Sequence, residues 1–109
     1  MDSKVRAEIY ALHARLCKAI ADPKRLLLIN ALRDGKKSVG ELTDELEFSQ
    51  SNVSQHLAVL RERGVVQASR TGNSVYYGLA DARIVKAIDL LREVMAAQLA
   101  RGSELQKVV

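Results

Sequence analysis

The sequence predicts a mainly α-helical domain with one β-hairpin, in the order α-α-α-α-β-β-α. Three observations carry this. Apolar residues recur at spacings of three and four through most of the chain. Cap signals at Asp22-Pro23, Ser38, Ser49 and Asp81 divide that pattern into separate helices. Between Gly64 and Asp81 the pattern changes to two β-prone runs flanking Gly72-Asn73.

The first helix spans Lys4 to Ile20, with Val5, Ile9, Leu12, Leu16 and Ile20 on one face. Asp22 caps the second helix and Pro23 takes its first position, where the missing N–H costs nothing. This helix is apolar over much of its circumference through Leu32, which predicts deep burial, and Gly35 is its stop signal. Ser38 and Glu41 form a capping box ahead of Val39, Leu42 and Leu46, so a short third helix ends near Glu47-Phe48. Ser49 caps a fourth helix that runs to about Arg63, and Gly64 stops it. Two helices joined by a turn of three or four residues make a helix-turn-helix.

Val65 to Thr71 and Ser74 to Leu79 form the hairpin, with Arg70 near its tip. Tyr76 and Tyr77 alternate, so one packs on the core and the other faces out. The last helix is capped by Asp81 and carries Ile84, Ile88, Leu91, Met95 and Leu99 over about 20 residues. Residues 102–109 are expected to be a frayed tail.

At 109 residues the chain has room for one domain, residues 1–109. Three Tyr, one Phe and no Trp leave the core to Leu, Ile, Val and Ala. The net charge of +4 fits a nucleic-acid partner. Residues 48–80 carry three Lys/Arg against one Asp/Glu, the least acidic stretch. A single cysteine, Cys17, excludes an internal disulfide framework. No basic-then-apolar leader is visible, and no apolar run nears the roughly 20 residues that cross a bilayer, so a cytoplasmic location and no membrane partner are expected. Gly-rich phosphate loops and nucleophile elbows are lacking, so no enzyme activity, cofactor or metal is expected.

Helical-wheel arithmetic sorts the fourth helix. Val53, Leu57 and Leu60 face the core. Ser51, Ser54, Gln55 and Ala58 lie opposite, Gln50 and Arg61 on one shoulder, Asn52 and His56 on the other. An ordinary exposed face carries Glu–Lys pairs. This one has hydroxyls and amides, with no acid until Glu62. Such a face approaches phosphates and base edges without repulsion, and Gln, Asn and Ser supply the hydrogen bonds that read bases. The candidate DNA-binding residues are Gln50, Ser51, Asn52, Ser54, Gln55 and His56, with Arg70 on a hairpin that acts as a wing against double-stranded DNA. The terminal helices hold more apolar surface than one small domain covers. A homodimer through Ile9, Leu12, Leu16, Ile88, Leu91 and Met95 is the expected use.

Residues 16–26, LCKAIADPKRL, resemble the opening of the ArsR/SmtB-type winged helix-turn-helix regulators. Ser49 to Leu57 and Leu60 to Val66 resemble that family's recognition helix and wing entry, and Arg70 to Tyr77 its wing. The resemblance covers residues 9–95. It implies a homodimer through the first and last helices, bound to an inverted-repeat operator as a repressor that an inducer releases. It places base reading on Gln50, Ser51, Ser54 and Gln55, and a wing phosphate contact on Arg70. The best-known members sense metals, and here the sequence departs from them. The thiolate site needs a Cys-x-Cys after Glu-Leu, but Glu41-Leu42 is followed by Thr43-Asp44-Glu45. The last-helix site needs histidines, and that helix has none: Arg83, Val94 and Ala97 stand at its positions.

Several readings stay open on the sequence. His13 and Cys17 are four apart on the first helix and could form half of a shared metal or thiol sensor; the plain alternative is a small interfacial hydrophobe beside a polar neighbour. His56 is a boundary residue packed beside Leu60 or touching a phosphate, or else a titrating switch. Lys36 and Lys37 contact phosphate or are solvated turn lysines, and Lys24 and Arg25 orient the second helix on the DNA backbone. A winged-helix protein-interaction module with little DNA affinity is the alternative to a DNA-binding regulator.

Overall fold

A computed structural model describes residues 2–108, and the side chains of residues 2–102. Helix α1 (Ser3–Ile20) starts one residue before the periodicity predicts, because the Asp2 carboxylate accepts the Lys4 N–H as a cap. α2 (Pro23–Ala31) follows across a two-residue corner. Asp22 Oδ2 accepts the N–H groups of Lys24 and Arg25 at 3.0 and 3.1 Å, satisfying two of the donors every helix start leaves free. The helix ends at Ala31 with Leu32 as its cap, one residue before the expected last residue.

The third helix, α3 (Val39–Leu46), has the capping box in full: Glu41 N–H donates to Ser38 Oγ, and Ser38 N–H donates to Glu41 Oε1. Glu47 closes it in a left-handed conformation, φ 58°. α4 (Gln50–Glu62) begins two residues later, with Ser49 Oγ accepting the Asn52 N–H. The end of α4 is a Schellman turn. Gly64 N–H donates to Arg61 O, Val65 N–H donates to Leu60 O, and Gly64 supplies the required positive φ of 78°. Leu60 and Val65, the apolar pair of that motif, are both fully buried, so the exit from α4 into the hairpin is fixed in direction.

The hairpin pairs β2 (Val66–Thr71) with β3 (Ser74–Leu79) in antiparallel register from Val66↔Leu79 to Thr71↔Ser74. Gly72, at φ 63°, opens the two-residue loop. The sheet has a third strand that the sequence reading lacks. Lys37–Ser38, here β1, pairs with β3 through Lys37↔Tyr77 and Ser38↔Tyr76, giving the order β1-β3-β2. The chain order is therefore α-α-β-α-α-β-β-α. Lys37 is not a solvated turn lysine: its Nζ bonds Glu45 Oε2 of α3 at 2.5 Å. Tyr77 is the tyrosine that packs against the core.

The last helix, α5 (Arg83–Val108), is longer than expected and passes through Gly102 without a break, so the backbone expected to fray there is helical; Val109 lies outside the described residues. Asp81 accepts the Arg83 N–H, and the Arg83 guanidinium on the same carboxyl pulls its pKa down to about 2.

Leu28, Ile29, Leu32, Leu42, Val53, Leu57, Leu60, Val65 and Val66 form the fully buried centre of the core. Each such side chain contributes roughly 1.5–3 kcal/mol on burial. Val53, Leu57 and Leu60 therefore fix which face of α4 points inward. Ile88, expected at the dimer face, is only 7% exposed within the protomer and packs in the core. The stripe of α5 dips into the domain at Val85 and Ile88 and leaves it at Leu91, 58% exposed, and Met95, 54%. Ile9 and Leu12 of α1 are exposed too, and Leu16 is half-buried.

Candidate nucleic-acid interface

With Val53, Leu57 and Leu60 inward, Gln50, Ser51, Ser54, Gln55 and Ala58 all face solvent. The start of α4 adds free backbone donors, and no acid stands in its first turn. Asn52 and His56, on the shoulder, are half-buried and so present less surface than the other four residues predicted on this helix. Arg70 is exposed near the hairpin tip.

A basic residue that the sequence reading set aside joins them. Arg61, in the last turn of α4, lines a concavity of about 230 Å³ with Ala68, Ser69, Arg70 and Val75. Two guanidinium-bearing residues thus border the cleft between recognition helix and wing. Among the described residues neither is in an ion pair. Two cations left without acids beside a concave surface suit an anion such as phosphate. The signal in sequence was the shoulder position of Arg61; what it lacked was the fold of the hairpin back toward α4.

His56 and Arg25 turn out to be partners. Arg25 Nη1 donates to His56 Nδ1 at 3.4 Å, its Nε donates to Ala19 O, and its Nη2 donates to Lys18 O at 3.3 Å. Asp22 Oδ2 lies 4.0 Å from the same imidazole nitrogen. The Asp22 carboxyl is held below the usual carboxylate range, first by the Arg25 backbone N–H. Arg25 thus bonds to the end of α1 and to α4 as well as lying on α2. Its neighbour Lys24 places its ammonium 5.4 Å from the centre of the Phe48 ring, tying α2 to the α3–α4 turn.

His13 and Cys17 are both exposed on α1. Cys17 borders an apolar cavity of about 380 Å³ between α1 and α5, with Leu26, Ile88, Leu91 and Met95. Among the described residues no three His, Cys, Asp or Glu side chains gather as a metal-ligating group. No helix among them is long and apolar enough to cross a membrane.

This geometry has close counterparts. The family model for bacterial regulatory proteins of the arsR family matches residues 22–68, from the α2 cap into β2. The biofilm growth-associated repressor of Xylella fastidiosa is 36% identical over 85 residues, covering 78% of this chain and 75% of that protein. The transcriptional activator HlyU of Vibrio cholerae is 42% identical over 79 residues, covering 72% of this chain and 73% of the activator. A homodimeric winged helix-turn-helix DNA-binding domain from Mycobacterium bovis, a possible ArsR-family regulator, superposes with a TM-score of 0.82 at 26% identity, covering 92% of this chain and 93% of that one. The exposed helix with no acid in its first turn, the hairpin beside it and these relatives agree, and the chain belongs to the ArsR family of bacterial DNA-binding transcriptional regulators.

Proposed function

We propose that the protein is a homodimeric repressor that reads an inverted-repeat operator in the cytoplasm. The observation that carries this reading is the solvent-facing run of Gln50, Ser51, Ser54 and Gln55 on a helix whose opposite side is fully buried. Base edges in the major groove take amide and hydroxyl partners of this kind, and Asn52 borders the same surface. Arg70 and Arg61 hold phosphates beside it. Exposed Ile9 and Leu12 on α1 and Leu91 and Met95 on α5 supply an apolar face for a second copy, with Leu16 at its edge. The Mycobacterium domain of the same fold is homodimeric, and the Xylella relative is a repressor. The reading needs no catalytic group and no cofactor.

The test is selection of duplexes from a randomised pool, followed by binding at several salt concentrations. The expected outcome is a two-fold symmetric site with half-sites centred about 10 bp apart or a multiple of that. Log affinity should fall with log salt by about 0.9 per neutralised phosphate. An asymmetric site, or no salt-dependent binding to any duplex, overturns the reading.

A further inference from the structure

We infer that Arg25 is a positioning residue for the recognition helix, acting through His56, and not a DNA contact. Three helices meet at its guanidinium. The last carbonyls of α1 lack the usual donor four residues on; Lys18 O takes the Ala21 N–H at 3.3 Å, and Arg25 Nη2 and Nε donate to Lys18 O and Ala19 O. The Asp22 cap holds the Arg25 backbone N–H at 3.1 Å, fixing where the side chain leaves α2. The remaining arm, Nη1, reaches His56 on α4.

The chemistry of the pair is one-directional. A guanidinium only donates, so His56 Nδ1 accepts and the neutral ring carries its proton on Nε2. Asp22 and Arg25 are the charged groups that face the ring from α2, and the two α1 carbonyls reach it only through Arg25. The core leucines fix the inward side of α4 but leave a helix some freedom to roll on an apolar surface. A directed bond at its shoulder removes that freedom. His56 directly follows Gln55, and it sits one turn after Asn52, so the tie acts on the turns that read bases. Each of the three guanidinium nitrogens makes one bond inside the domain, so three of its five N–H donors are already used there.

The experiment compares four full-length variants on two duplexes: one selected by the wild-type protein from a randomised pool, and a scrambled duplex of the same composition. His56→Leu keeps bulk and removes the acceptor. His56→Asn puts an acceptor oxygen where Nδ1 stands. Arg25→Gln removes the charge, and Arg25→Lys keeps it without the fork. Loss of the tie is expected to lower discrimination between the duplexes about tenfold in His56→Leu, Arg25→Gln and Arg25→Lys, with His56→Asn close to wild type. The salt slope of Arg25→Gln is expected to stay at the wild-type value. A slope smaller by about 0.9 makes Arg25 a phosphate contact and overturns the proposal. Wild-type discrimination in His56→Leu, or equal loss in His56→Asn and His56→Leu, overturns it too. If the Arg25 variants do not fold, the two His56 variants decide alone, since both leave the bonds from Arg25 to α1 in place. Nitrogen-15 spectra of the histidines supply an independent readout: an Nδ1–H tautomer at His56 in the wild-type protein also overturns it.

Discussion

Arg33 and Asp89 are 56 positions apart in sequence and form a two-pronged ion pair, with Nη1 to Oδ2 at 2.9 Å and Nη2 to Oδ1 at 2.7 Å. Asn30 Oδ1 accepts from the same guanidinium, so the fork is held on both sides. The pair joins the end of α2 to α5, that is, the reading domain to the helix that carries the proposed dimer face. Arg33 holds the Asp89 carboxyl below the usual carboxylate range. A lowered folded-state pKa means stability that is complete above the unfolded value, about 3.9 for Asp, and is lost as pH falls through the lowered one. Asp89→Asn should therefore lower the melting temperature at neutral pH, and its gap to wild type should close in acid. Both side chains are about one-third exposed, so the effect is small and salt-sensitive. Thermal melts of both proteins from neutral pH to about pH 3 check it; a gap that widens in acid contradicts it.

Gly64 makes a sharper stability prediction. At φ 78° it is in a conformation that L side chains resist, while the space its Cβ would fill is empty. Gly64→Ala should cost about 1–2 kcal/mol through the backbone alone. Urea unfolding at one fixed protomer concentration measures it. A neutral result would mean that the Schellman turn relaxes, and the wing would then be less firmly aimed than the hydrogen bonds imply.

The helices and the reading face were legible because both follow from local rules. A 3.6-residue period with Ser, Asp and Gly at the ends is enough to locate α3 and α4, and the wheel then exposes Gln50 to Gln55. What was not legible depends on partners distant in sequence. Lys37 and Ser38 are too few to show an alternation; they are a strand only because Tyr76 and Tyr77 stand opposite. Ile88, Leu91 and Met95 share one stripe, and periodicity cannot mark where a long helix leaves its own domain. Arg25 beside Asp22-Pro23 reads as one more surface cation until α4 brings His56 to it. Arg61 is recognisable only once the hairpin has folded back to place Arg70 across the cleft.

Base reading and phosphate holding should separate cleanly. Ser54→Ala and Gln55→Ala remove hydrogen-bonding groups from the exposed face and nothing from the core. Each should change preference among operator variants by about 1–3 kcal/mol, with the salt slope kept. Arg61→Ala and Arg70→Ala should instead weaken all duplexes alike and lower the slope by about 0.9 each. Binding isotherms at a series of salt concentrations distinguish the two patterns. A changed base preference in Arg61→Ala would move that residue from the backbone to the bases.

The apolar face of α1 and α5 predicts a protein whose DNA affinity depends on its own concentration. Leu91 and Met95 lie beyond the point where α5 leaves the core, so a charge placed there does not disturb Ile88 or Val85. Leu91→Glu and Met95→Glu should leave the melting of secondary structure cooperative. They should convert the species seen by sedimentation from dimer to monomer, because a carboxylate buried without a partner is strongly disfavoured. A monomer holds one half-site, so its affinity for the full operator should fall toward that for a single half-site, while the relative ranking of half-site sequences stays that of the wild type. Ile88→Glu is the contrasting substitution: that side chain is only 7% exposed within the domain, and the same charge there should unfold it. If Leu91→Glu sediments as a dimer and binds as wild type, α5 does not form the contact, and the exposed stripe must meet something other than a second copy.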